Sequence, residues 1–96
     1  LLNSLKDEVG LKSIKLFIEK LEKWESNEFT AEQAKDLLHS LLDDLQEGPG
    51  KIFMPLRAVL TGATRGADLY NILYVIGKER ALKRIKDTVK KYNIAL

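Results

Sequence analysis

Apolar residues recur at helical spacing along almost the whole chain, and this restricts what it can fold into more than any other feature. Leu11, Ile14, Phe17, Ile18, Leu21 and Trp24 fall on one stripe, and Ala34, Leu37, Leu38, Leu41, Leu42 and Leu45 on another. The first stripe predicts a helix over about 11–25, with a short helix over about 2–9 before it and Gly10 between them as a cap or a mid-helix glycine. Thr30 and Gln33 form a capping-box pair at the start of the second stripe, with Phe29 as a candidate staple residue. Gly48-Pro49-Gly50 is expected to stop that helix, with glycine at its C-terminal cap. Pro55 then suits the first turn of a helix running to about Leu60 and closed by Gly62. Asp68 is placed as an N-cap, Leu69, Ile72, Leu73 and Ile76 as a short buried helix ending at Gly77, and Ala81, Leu82, Ile85 and Val89 as the inner face of a last helix over about 78–92. No segment reads convincingly as a strand, and there is no internal repeat. The expectation is an all-α bundle of five or six helices, cooperatively folded and monomeric.

A chain of 96 residues can bury roughly 60–65% of its unfolded surface, enough for one core without staples. There are no cysteines, which excludes disulfides and thiolate metal sites. No apolar run approaches the ~20 residues of a membrane span, and the first residues are not expected to be a signal peptide. The only methionine is Met54 and the first residues are Leu1-Leu2, so the chain is expected to be a piece of a longer protein. We treat residues 1–96 as one domain, because neither half alone offers a good core.

The charge is divided. Residues 1–50 carry six Lys/Arg against eleven Asp/Glu, a net −5, and residues 51–96 carry ten against three, a net +7. The division separates an acidic helical half, 1–47, from a basic helical half, 51–96. The basic half is suited to phosphates or to an acidic partner, unless the two halves fold together and cancel. Lys83, Lys86 and Lys90 lie on one flank of the last apolar stripe, and Arg80, Arg84 and Lys91 on the other. Tyr70 and Tyr74 are i, i+4 neighbours. Tyrosines beside cations suit single-stranded RNA, where bases stack on rings and phosphates meet Lys/Arg. They are equally the rings of an ordinary helix at the edge of a core. Arg57, in an otherwise apolar stretch, is either paired with an acidic helix of the first half or aimed at a ligand. His39 has no nucleophile at useful spacing and reads as a surface histidine. Asp43-Asp44 and the Glu19, Glu22, Glu25 row read as solvated faces. No catalytic and no metal-binding residue is assigned, and the loop from Gly62 to Gly66 lacks the ending of a phosphate-binding loop.

The stretch from Lys51 to Lys83, "KIFMPLRAVLTG", a short loop, then "ADLYNILYVIGKERALKRI", resembles the C-terminal anticodon-binding region of bacterial-type glutamyl-tRNA synthetases. The resemblance rests on Pro55, Leu56, Arg57, Leu60, Thr61 and Gly62, and then on Gly77, Glu79, Leu82 and Arg84. The first half is similar in outline only. The resemblance implies an all-helical anticodon end of a cytoplasmic class I ligase that attaches glutamate to tRNA using ATP and Mg²⁺. The ATP-site signatures are absent from this chain and are expected upstream, so the piece itself is expected to be non-catalytic and without cofactor. In the family the arginine of the Pro-Leu-Arg motif contacts an anticodon base, and the following loop and helix turn line the same pocket. Carried over, these are Arg57 with Gly66, Ala67, Asp68 and Leu69. Ala67 stands where the family often has proline. Arg65, Tyr70, Tyr74, Lys83, Lys86 and Lys90 are candidates for further RNA contact, and tRNA is the implied partner. From a different class, the alternative is a helical protein–protein adaptor whose basic half docks an acidic partner.

Overall fold

The computed structural model describes residues 8–61 and 68–94. Among them it contains four helices and no strand: α1 Glu8–Lys23, α2 Ala31–Leu45, α3 Pro49–Thr61 and α4 Leu69–Lys91. The class is the all-α one expected, with fewer helices. The helix expected over about 2–9 falls mostly outside the described residues. Glu8 and Val9 already belong to α1, and Gly10 is a buried residue inside that helix.

α1 buries Ile14, Phe17 and Leu21 along one stripe. Ser13 shares that face, and its hydroxyl donates to the Val9 carbonyl at 2.7 Å, which satisfies a buried polar group locally. The chain then turns through 24–30, where the Trp24 and Phe29 rings meet at 4.9 Å. Thr30 caps α2 through the full capping box: Gln33 N–H donates to Thr30 Oγ1 at 3.1 Å and Thr30 N–H to Gln33 Oε1 at 3.0 Å. α2 buries Ala34, Leu37, Leu38 and Leu41.

Two expectations about the next segment are corrected. The left-handed residue that ends α2 is Gln46, with φ 52°, not a glycine; its N–H donates to the Leu42 carbonyl at 2.8 Å. α3 begins at Pro49, six residues before Pro55, so Gly50 lies inside a helix and Pro55 lies in its interior. Both prolines suit a first helical turn by sequence. Burial decides between them. Ile52, Phe53, Pro55, Leu56, Ala58, Val59 and Leu60 are all buried, so α3 is apolar around most of its circumference. Packed against α1, α2 and α4, it is the central helix, and Pro55 is retained there despite its missing N–H. Lys51, Met54, Arg57 and Thr61 are left on its outer stripe.

α4 is one helix in outline and two in backbone geometry. Gly77, at φ 77° and ψ −179°, interrupts it where the sequence predicts an end. The interruption is covered by the 24–30 turn. Asn27 accepts from Lys78 N–H through its carbonyl at 2.9 Å and from Glu79 N–H through Oδ1 at 2.8 Å, so it caps the second segment from outside the helix. Lys78 Nζ donates in return to the Trp24 carbonyl. A Cβ at Gly77 would stand 2.6 Å from the Asn27 carbonyl oxygen.

Gly77 and Gln46, both at positive φ, should respond in opposite directions. Gly77→Ala forces a side chain into a region only glycine adopts readily and into a backbone oxygen, and should cost about 1–3 kcal/mol. Gln46→Gly relieves left-handed strain and should stabilise by up to about 1 kcal/mol. Leu41→Ala, at a position with 0% exposure, should cost about 2–5 kcal/mol. Urea unfolding of the chain followed by circular dichroism measures all three.

Candidate nucleic-acid interface

Three helices meet at Tyr70. It stands in the first turn of α4, where its N–H donates to the Asp68 carboxylate at 2.9 Å, the N-cap expected from the sequence. Its ring meets Phe53 of α3 edge-on, with centroids 5.8 Å apart at 86°. Its hydroxyl lies 2.7 Å from Nε2 of His39 on α2. Burial pushes the phenol above its ordinary pKa of 10.0, the Asp68 carboxylate pushes the same way, and the Arg57 guanidinium draws it back.

Arg57 is one turn along α3 from Phe53 and half-buried. Its Nε is buried and has no hydrogen-bond partner. The described ion pairs are Lys12 with Glu8, Lys20 with Asp44, and Lys51 with Glu47, and none includes Arg57. Of the two readings left open for this arginine, pairing with a carboxylate of the acidic half is therefore not the one found among the described residues. What holds Arg57 is the end of its own helix. Thr61 Oγ1 donates to the Arg57 carbonyl at 2.7 Å. From α4, Thr88 Oγ1 donates to the Val59 carbonyl at 3.3 Å, and an Arg84 Nη donates to the Leu60 carbonyl at 3.0 Å. Carbonyls at the end of α3 are thus bonded by side chains of the neighbouring helix.

The structure gathers Arg57, Asp68 and Tyr70 and separates them from other candidates. Leu69 is 1% exposed, so its side chain belongs to the core and supports the turn that carries Tyr70. Lys83, Lys86 and Lys90 are exposed on the second segment of α4, beyond the Gly77 break. Tyr74 is exposed beside a groove of about 670 Å³ between the 27–31 turn and the break, which Arg80 also lines. Arg65, Gly66 and Ala67, with Gly62, lie outside the described residues. Sequence reasoning placed Arg84 on a basic flank and missed its bond to α3. It also missed Phe53 and His39 as members of the site. Phe53 carried a usable signal, since it lies four residues before Arg57 on the same helix. Among the described residues no set of three or more His, Asp or Glu side chains is gathered as for a metal ion, and no helix is long and apolar enough to cross a membrane.

Residues 2–89 match the family described as anticodon binding domain. The chain is 88% identical over all 96 residues to the glutamate–tRNA ligase of Fusobacterium nucleatum, covering 19% of that protein. It is 43% identical over 61 residues, 64% of this chain and 12% of the relative, to the glutamate–tRNA ligase of Cytophaga hutchinsonii. It is 33% identical over 91 residues, 91% of this chain and 19% of the relative, to that of Francisella philomiragia. The chain thus spans about a fifth of the length of these relatives, or less. No solved structure matches it. The adaptor reading of the basic half receives no support from these matches.

A guanidinium stripped of water at Nε and given no carboxylate is a poor contributor to stability. Arg57→Leu should therefore melt no lower than the unaltered chain, whereas an arginine in a buried ion pair would leave a stranded charge and a large loss. The raised Tyr70 pKa means that the folded chain holds the phenolic proton more tightly than the unfolded one. That contribution is complete below pH ~10 and is lost as pH rises through the folded-state value. Alkaline thermal melts of the chain and of Tyr70→Phe measure it, and the phenylalanine variant should lack it.

Proposed function

The chain belongs to the anticodon binding domain family, and on that premise we propose that it is the tRNA-reading end of a glutamate–tRNA ligase, with Arg57 contacting an anticodon base. The 88% identity to the Fusobacterium nucleatum ligase supports the choice of enzyme. Arg57 carries the choice of site: it is a half-buried guanidinium with an unbonded Nε, beside an aromatic ring, on a helix end fixed by its neighbour. An anticodon is a single-stranded loop whose splayed bases are read by stacking and by hydrogen bonds to their edges. The planar fork of Arg57 donates to a base carbonyl, Asp68 offers an acceptor, and the Tyr70 and Phe53 rings form the wall. Arg65, Gly66 and Ala67 would complete the pocket, with Leu69 holding it from behind. Lys83, Lys86 and Lys90, with Tyr74, supply contacts to the rest of the strand that do not depend on sequence.

ATP, Mg²⁺ and the joining of glutamate to tRNA belong in this reading to the remainder of a cytoplasmic ligase, and this chain contributes no catalytic group. Residues 1–96 act as one unit and as a monomer, the acidic half supporting the basic half that meets RNA.

Arg57 and the lysines should separate in experiment. In the full-length ligase, Arg57→Ala should lose about 1–3 kcal/mol in kcat/KM for the cognate tRNA, by analogy with bidentate base readout, and much less for an anticodon-changed tRNA. Arg57→Lys should recover little, since a point charge does not reproduce the fork. Equal losses on both tRNAs would remove Arg57 from base recognition. If about four phosphates are contacted, log K should fall against log salt with a slope of roughly −3. Replacing Lys83, Lys86 and Lys90 together should flatten that slope and leave anticodon preference unchanged.

A further inference from the structure

His39 remains without a role in this reading, although it is the only histidine of the chain and touches the site from the acidic half. It lies on the exposed side of α2, with Asp36 and Asp43 at i−3 and i+4 on its own helix. Exposure gives it little packing energy, so burial does not explain its placement. Its Nε2 nevertheless lies 2.7 Å from the hydroxyl of a residue 31 positions away, with ring centroids 5.5 Å apart. That bond tethers the far end of Tyr70, whose near end is tethered by Asp68. Between the two tethers the ring stands edge-on to Phe53 and close to Arg57.

We propose that His39 is a positioning residue for the RNA site: its bond to the Tyr70 hydroxyl fixes the ring that walls the Arg57 pocket, and so tunes discrimination among anticodons without touching the base. This rests on the reading of Arg57 given above. The bond suits the task chemically. A neutral imidazole with a bare Nε2 accepts the hydrogen bond that the phenolic O–H donates, and one protonated at Nε2 donates to the phenolic oxygen, so the tether can form with either arrangement. A half-buried tyrosine without it has more than one rotamer open, and a pocket wall that moves discriminates less. The acidic half thereby acts on recognition through one hydrogen bond between α2 and α4.

The test uses the full-length protein that contains this chain, assayed for aminoacylation with cognate and anticodon-changed tRNA. His39→Ala should raise KM for the cognate tRNA about threefold to tenfold, the range expected for one net hydrogen bond. kcat at saturating tRNA and the KM for ATP should stay unchanged, and the anticodon-changed tRNA should be affected less. Tyr70→Phe, which keeps the ring and removes the hydroxyl, should show the same rise. The double variant should be no worse than either single one, because both remove the same bond. His39→Gln places an amide near the position of Nε2 and should recover most of the loss, whereas His39→Asn falls short and should not. Thermal melts should fall by no more than one net hydrogen bond accounts for. An unchanged cognate KM in His39→Ala, equal losses on both tRNAs, additive losses in the double variant, or a KM rise that disappears when the assay is run well below the melting transition would each overturn the proposal. Arg57→Ala in the same assay separates the two readings. Lost discrimination there but not in His39→Ala overturns the role of His39 alone, and no loss in either overturns both. Loss in His39→Ala alone removes Arg57 from base recognition and, with it, the pocket whose wall this proposal assigns to Tyr70.

Discussion

Asn27 is the residue on which the rest of the arrangement depends. A helix interrupted at Gly77 begins again with N–H groups that have no partner one turn back. Asn27 bonds two of them, one through its backbone carbonyl and one through its side chain. That partner steadies the interruption, which frees the two segments of α4 to take different directions. The first carries Tyr70 to Phe53 and His39. The second carries Arg84 and Thr88 to the end of α3. A continuous helix would fix the relation between those two sets of contacts at 100° per residue, with no room for adjustment.

The division of charge acquires a structural meaning from the same arrangement. The three described ion pairs all draw on carboxylates of the acidic half: Glu8, Asp44 and Glu47. Exposed pairs of this kind contribute little energy each. What matters more is which cations they leave out. Arg57, Lys83, Lys86 and Lys90 have no carboxylate partner among the described residues, so folding does not neutralise the basic half. Arg84 is different. Its charge sits in the same half, but one Nη is committed to the Leu60 carbonyl.

Local signals were readable where the physics is local. The Thr30–Gln33 capping box, the Asp68 cap, the buried stripe of α2 and the break at Gly77 each depend on a few neighbouring residues, and each stands where the sequence placed it. The start of α3 did not. Pro49 and Pro55 are both competent to open a helix, and the choice is made by the burial of Ile52 and Phe53, which is a tertiary fact. Gln46 in a left-handed conformation defeats a rule that favours glycine. At the candidate site, the cap that opens α4 was legible in Asp68, and Arg57 stood out by its apolar surroundings. His39 was not: its bond joins residues 31 apart, and no periodicity records such a meeting. Nor does charge alone distinguish Arg84, which bonds a helix end, from Lys83 beside it, for which no such bond is described.

The last turn of a helix ordinarily frays, because its carbonyls depend on water and its backbone gains entropy by loosening. In α3 that turn carries Arg57, and the carbonyls of Arg57, Val59 and Leu60 are each bonded by a side chain. The conformational entropy of this turn is therefore given up during folding and is not charged again when a ligand meets Arg57. On the proposed role of Arg57, an anticodon base would find the helix turn that carries it already ordered.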